Sequence, residues 1–589
     1  MRLLVASEEW ILAQTPRLRA WKQSVENMQF PDAASIELFA EAVEWQALLD
    51  SGIDLEAIPA LPRLRRRSWA ASEGIGRLRR DPARALDLWA PLLRDIESFQ
   101  SSKFYLISGS FETGDERVFR SQIGFEGVAR LRDGGWRMIT GLQSVAWERG
   151  PGGDAEDWRV IAWLPKKMET ADAPRRFFEE NLASMLPHRE DLQRARASLH
   201  EENLVKLFTT GKFTTAYPVY SRYRDLESSY QHPGLAVADV DNDGWDDLYV
   251  MGRWGPNQLW WNRGDGTFTD RAAEWGLDLA DFCSCAVFAD NDGDLDVFVG
   301  RTLARSVYLE NEGGYFRDRS AEVLAVPLPP LVSSMAAADY DGDGLLDIYF
   351  SLYGPTEHGT RVEEWAGEFF SGAMADELIR RSPDSHRYLD LLGPPNLLLR
   401  NRGGRFEVAP EAGTLAEWRN TYQSTWADYD GDGDPDLYVC NDFAPDSFYR
   451  NEGKGSGGKV VFREIAAEAA GETMNGFGMG ASWGDYDLDG RLDLYVSNMY
   501  SKAGTRITRQ LPGLDARIPY AAAGSLLFRN EAGGMRQAAG LEPGSVQVAK
   551  VGWAYGGLFL DADNDGYLDV YSASGYYTAP EATRSEEDL

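Results

Sequence analysis

Residues 485–493 read Asp-Tyr-Asp-Leu-Asp-Gly-Arg-Leu-Asp, and Leu494-Tyr495-Val496 follow directly. Four carboxylates around one glycine form a turn, and the short apolar run behind them suits a strand far better than a helix. The phrase recurs as DVDNDGWDDLYV from Asp239, ADNDGDLDVFVG from Ala289, DYDGDGLLDIYF from Asp339, DYDGDGDPDLYV from Asp428 and DADNDGYLDVYS from Asp561. Six copies make this a repeat chain, and self-similarity decides architecture ahead of any local pattern.

A second phrase follows the first: an Asn opens a Gly-rich turn at Asn262, Asn311, Asn401, Asn451 and Asn530. Gly244 to Asn262, Gly293 to Asn311 and Gly433 to Asn451 are identical intervals. Gly344 to Asn401 and Gly490 to Asn530 are longer, so these two units carry insertions, the larger one in the unit of Gly344. Units of roughly 50 residues built from short strands and Gly turns predict propeller blades. Between Gly566 and Leu589 there is room for only part of a unit, while LFTTGKFTTAYPVYSRY from Leu207 resembles the second half of one; together the two halves would complete a blade and close the ring. The expected fold is mainly β: a six- or seven-bladed β-propeller over 206–589, with insertions near 354–395 and 499–524. An α+β domain over 1–171 and a charged helical linker over 172–205 are expected to precede it.

Five phrases satisfy D-x-D-x-D-G-x-x-D in full. Carboxylates at positions 1, 3, 5 and 9, a backbone carbonyl at position 7 and a glycine at position 6 form an oxygen-only cage for a hard cation, of which calcium is the natural occupant. Zinc would want His or Cys. The expected ligands are Asp239, Asp241, Asp243, Trp245 and Asp247; Asp339, Asp341, Asp343, Leu345 and Asp347; Asp428, Asp430, Asp432, Asp434 and Asp436; Asp485, Asp487, Asp489, Arg491 and Asp493; and Asp561, Asp563, Asp565, Tyr567 and Asp569. In the second phrase, position 1 falls on Phe288, leaving Asp290, Asp292 and Asp296. About five calcium sites are therefore expected, with a sixth weak or absent. Acidic surface turns without a metal are the alternative, but two carboxylates ~5 Å apart repel by roughly 3 kcal/mol at an effective dielectric of ~20, and each loop packs four into one short turn.

These loops, with Phe477-Gly478-Met479-Gly480 ahead of WGDYDLDGRLDLYVSNM, resemble the FG-GAP/VCBS repeats of integrin α-chain propellers and of the cartilage acidic protein family. GLAVADVDNDGWDDLYV and PNQLWWNRGDGTFTD are especially similar to bacterial members. The resemblance covers about residues 205–580. It implies a calcium-stapled β-propeller, usually extracellular or periplasmic, with the loop aspartates as ligands. Members often continue into an ASPIC/UnbV domain, which this sequence does not contain. It also holds no N-x-S/T sequon, which favours a bacterial source.

Of the formal net charge of -33, almost all lies in the repeats: residues 1–200 hold 28 Lys and Arg against 30 Asp and Glu, and residues 201–589 hold 32 against 63. Such a polyanionic surface repels nucleic acid and anionic lipid and attracts cations. No apolar run reaches a membrane span, and Met1 to Ala13 lacks a secretory core. Three cysteines build no disulfide framework.

Ile36, Phe39, Val43 and Ala47 fall at helical spacing, and residues 1–100 are expected to be helical; 103–166 alternate like strands. Helices followed by a curved antiparallel sheet resemble a SnoaL-like cone, against the plainer expectation of an unclassified α+β domain. Eight arginines between Arg63 and Arg84 suggest a solvated helical face, a surface for docking on the acidic repeats, or an anion-binding surface. Both insertions leave their unit after its first strands and should share a face. The expected function is that of an extracytoplasmic, non-catalytic binding or scaffold protein for a protein or glycan ligand, as in adhesion. The alternative is a carbohydrate-active lyase or hydrolase working under the insertions.

Overall fold

The computed structural model describes the chain apart from residues 1, 33, 56–62, 80–87, 113–114, 151–156, 177, 198–233, 253–254, 281, 291–292, 355–361, 382–388, 391, 472–473, 502–503, 505–506, 509–510, 512, 541–545, 563 and 575–589. It divides into two compact units: Met1–Glu179 with Lys502–Leu514 and Ser585–Leu589, and Glu180–Ser501 with Asp515–Arg584.

In the first unit, four long antiparallel strands, Ile96–Glu112, Asp115–Leu131, Trp136–Arg149 and Trp158–Ala173, form the body of an eight-stranded sheet. Helices Arg2–Gln14 and Leu18–Glu26 pack on it. Trp21 is wholly buried among Phe30, Phe39, Phe104, Trp147 and Trp163, so an aromatic core fills the space between helix and sheet. Arg137, also buried, is held by two 2.7 Å bonds to Asp172 and by the Leu92 carbonyl at 3.1 Å, which satisfies a charge that would otherwise be costly inside a core.

The helical stripe expected at Ile36 to Ala47 is corrected: Ser35–Leu38 is a single 3-10 turn, and Phe39–Trp45 is a strand paired with Trp158–Ala173. Phe39 and Val43 are both buried. Residues four apart share a side in a strand as well as in a helix, so their spacing could not separate the two. The described part of the arginine-rich stretch is likewise strand rather than helix, with Arg65 and Arg67 both paired to Asp54.

The second unit carries, among its described residues, five four-stranded antiparallel sheets in chain order and one two-stranded sheet, Ala554–Leu560 with Asp569–Ser574. The chain is mainly β, as expected. Consecutive sheets stack because both sides of each second strand are apolar. In the fourth sheet, Leu437 and Val439 meet Tyr349 of the third, while Tyr438 meets Leu494 and Val496 of the fifth. In the fifth, Tyr495 in turn faces Phe559 and Val570 of the sixth. The Leu-Tyr-Val runs thus serve two interfaces by alternation.

The helices Leu182–Met185 and Arg189–Arg196, in the stretch expected to be a linker, lie on the first sheet. Leu186, Met185 and Leu192 cluster there with Trp260 and Phe268, and Arg194 bonds Asp270 at 2.6 Å.

Candidate metal centre

Each acidic phrase joins the first strand of a sheet to the second; Asn262, Asn311 and Asn401 end the third strand, while Asn530 and Asn451 lie one and three residues before its end. In an antiparallel meander those two points lie at the same end. The insertions join the second strand to the third and therefore emerge at the opposite end. Strand direction alone thus separates the acidic loops from the insertions.

The five complete loops share one backbone. The position-1 carboxylate accepts two N–H groups at 2.8–3.0 Å, from positions 5 and 6: Asp239 from Asp243 and Gly244, Asp339 from Asp343 and Gly344, Asp428 from Asp432 and Gly433, Asp485 from Asp489 and Gly490, and Asp561 from Asp565 and Gly566. The position-5 carboxylate accepts the N–H of position 7: Asp243 from Trp245, Asp343 from Leu345, Asp432 from Asp434, Asp489 from Arg491 and Asp565 from Tyr567. Positions 4 and 6 both lie in the left-handed region, as at Asn242 (φ 60°) and Gly244 (φ 90°). Asn or Gly stands at position 4 in four loops, a signal the spacing pattern overlooked, and Leu488 (φ 58°) is the strained exception.

Position 9 is the first residue of the second strand in the complete loops, and it ties the two phrases together. Asp247, Asp296, Asp347, Asp436 and Asp493 each accept, through Oδ1, the backbone N–H of Asn262, Asn311, Asn401, Asn451 and Asn530 at 2.7–2.9 Å. Two of these asparagines reach across to the sheet before: Asn451 Nδ2 donates to the Tyr340 carbonyl at 2.9 Å and Asn530 Nδ2 to the Tyr429 carbonyl at 2.7 Å.

Among the described residues, carboxylate oxygens converge within 4.8 Å of one another in four groups: Asp239, Asp241 and Asp243; Asp339, Asp341 and Asp347; Asp428, Asp430 and Asp436; and Asp485, Asp487 and Asp493. Several buried oxygens in them take no hydrogen bond from a neutral donor: Oδ2 of Asp347, and both oxygens of Asp341 and Asp487, whose Oδ2 atoms face only the guanidiniums of Arg400 and Arg529. Burial, reinforced by neighbouring carboxylates, pushes Asp347 and Asp436 up to about 7 and Asp247 and Asp493 to about 6, even though backbone N–H groups pull the other way. Buried, oxygen-only, mutually repelling ligands fit a hard cation, and these acidic groups could bind metal ions.

The second loop differs, as the missing carboxylate at Phe288 predicts. The strand Cys283–Asp290 runs on through position 1, and Asp290 accepts the Gly293 N–H at 2.7 Å in place of the paired bonds seen in the complete loops. Asp296 keeps the position-9 bond and takes the Tyr308 hydroxyl at 2.6 Å. Asp292, and Asp563 of the last loop, lie outside the described residues.

The model of the FG-GAP-like repeat family matches residues 239–299, 289–350 and 428–496. The chain carries FG-GAP-like repeats. Cartilage acidic protein 1 of Xenopus tropicalis is 31% identical over 130 residues, and that of Homo sapiens 33% identical over 132; each match covers 20% of this chain and 19% of the relative. The chain therefore spans about a fifth of the curated relatives it matches. Among solved structures, a hexachlorocyclohexane dehydrochlorinase (LinA) Type2 is similar at 14% identity and a TM-score of 0.18, over 27% of this chain and 89% of that one. A Synechocystis ACO mutant is similar at 11% identity and a TM-score of 0.32, over 81% and 87%. At these TM-scores neither likeness carries an argument.

Proposed function

We propose that the FG-GAP-like repeats form a β-propeller stapled by calcium at its acidic loops, and that the insertion-bearing end binds a protein or glycan without catalysis. The observation that carries this reading is the separation of the two ends. The acidic end is held by hydrogen bonds repeated from sheet to sheet, whereas the other end carries the two large insertions. There, helices Val362–Phe369 and Gly372–Arg381 of the first insertion bury Trp365 and Leu378 with Tyr353. Arg517 of the second insertion clamps Asp390 of the first at 2.9 and 3.2 Å. Two insertions that meet make a continuous surface suited to recognition.

Calcium supplies only charge and coordination here; the chain supplies the cage. Millimolar calcium suits an extracytoplasmic location, and no helix among the described residues is long and apolar enough to cross a membrane. Closing a six- or seven-bladed ring would bury the exposed outer faces of the end sheets, Leu235 and Val237 at one and Leu558 and Tyr571 at the other. The α+β unit and the helical segment after it are assigned no separate activity.

The test is a glycan and peptide array probed with the full chain in calcium and in chelator, followed by turnover assays on every hit. Binding that is lost in Arg517→Glu, without product formation, supports the proposal. Turnover of a bound glycan would replace it with the enzymatic alternative.

A further inference from the structure

The residue before each asparagine sits one position short of the acidic end on the third strand, and in three loops its side chain reaches the position-3 carboxylate. In the first loop it is Trp261, whose neutral indole N–H donates to Asp241 Oδ2 at 2.7 Å. In the third it is Arg400, whose guanidinium pairs with buried Asp341 and lies 3.3 Å from Asp343. In the fifth it is Arg529, 2.5 Å from Asp487 and 3.5 Å from Asp489; Arg491 adds a second guanidinium on Asp489. In the fourth loop Arg450 is drawn aside by Glu452, at 2.6 and 3.0 Å.

No donor other than the guanidinium reaches either oxygen of Asp341 or Asp487, so in both loops it supplies the neutralising charge. Resting on the calcium reading above, we propose that Arg400 and Arg529 are resident cations that divide the sites into two classes. The first loop, with a neutral indole, needs a metal to relieve its repulsion and binds it tightly. The third and fifth loops are relieved in advance, and an arriving divalent ion must displace the guanidinium or bind beside it. These loops therefore bind more weakly and lose less on chelation. The position before the asparagine sets the affinity of each loop without contributing a ligand.

The experiment is calorimetric calcium titration of the full chain, previously stripped of metal, together with melting in chelator. Arg400→Gln and Arg529→Gln should each move one site from the weaker to the tighter class, by about tenfold for removal of one unit charge near a divalent ion. Each should also enlarge the drop in Tm on chelation. Arg400→Met keeps the packing of the aliphatic stem should Arg400→Gln misfold, and Trp261→Arg should weaken one site. Wild-type binding with unchanged or weaker affinity in the glutamine variants overturns the resident-cation proposal alone. Wild-type protein that binds no calcium overturns both this proposal and the calcium reading.

Discussion

Asp347 and Asn401 are 54 residues apart in sequence, yet the Asn401 N–H donates to Asp347 Oδ1 at 2.7 Å. Asp436 and Asn451, only 15 apart, make the same bond at 2.8 Å. The extra residues of the third unit leave at the far end of the sheet, so the acidic end is built identically whether or not an insertion is present.

Position 9 should be structural before it is metal-binding. Asp436→Ala leaves the N–H groups of Asn451 and Tyr429 without their acceptor and should cost about 2–5 kcal/mol even in chelator. Asp430→Ala, at position 3, should lower the Tm chiefly when calcium is present. Equal losses in chelator, followed by calorimetry, would contradict this division.

Chelation should lower the melting transition of the repeats far more than that of Met1–Glu179, since a ligand at 100 times its Kd stabilises by ~2.7 kcal/mol per site. Asp341→Ala and Asp487→Ala should each reproduce part of the loss, and Asp292→Ala much less. A melting curve unchanged by excess chelator would remove calcium as the staple.

The benefit of calcium should grow between pH 5 and pH 7.5. Asp347 and Asp436 are raised to about 7 when folded, so the metal-free folded state holds more protons than the unfolded chain above pH ~4, and these groups cost stability as pH rises through 7. Calcium binds the ionised form and cancels that cost. Melting of metal-free and calcium-loaded protein across this range checks the sign: a Tm difference that shrinks with pH would refute it.

Arg517→Glu breaks the clamp to Asp390, but both partners are partly exposed, so the loss of stability should be no more than the ~1 kcal/mol expected of such a pair. Limited proteolysis should nonetheless cut both insertions faster than in wild type. Resistance equal to wild type would mean the insertions are held by other contacts.

Gly478→Ala should destabilise the fifth sheet whatever the metal. A Cβ there would sit 2.3 Å from buried Asp446 Oδ1, which is fixed by the Asn441 N–H at 2.8 Å and whose Oδ2 takes the Tyr438 hydroxyl at 2.9 Å. A melting temperature within about 1–2 °C of wild type would show that the turn yields, the usual cost of overpacking being ~1–3 kcal/mol.

Spacing along the chain is enough to give the repeat, its period and the mainly β class, and to mark the second phrase as departing from the others. Each of these follows from side chains along one strand or one turn, where covalent geometry leaves few choices. What position 9 does is not legible there. Asp436 meets Asn451 only because an antiparallel meander brings the third strand back to the end where the second begins, and no local pattern encodes that return. Helix and strand are equally inseparable at Phe39 and Val43, whose spacing fits both until a neighbouring strand supplies hydrogen bonds. Folding likewise pairs Arg400 with Asp341 across an insertion, and it joins Arg517 to Asp390 over a separation of 127 in the chain. Such pairings depend on where sheets and insertions carry each side chain in space, which only the tertiary structure decides.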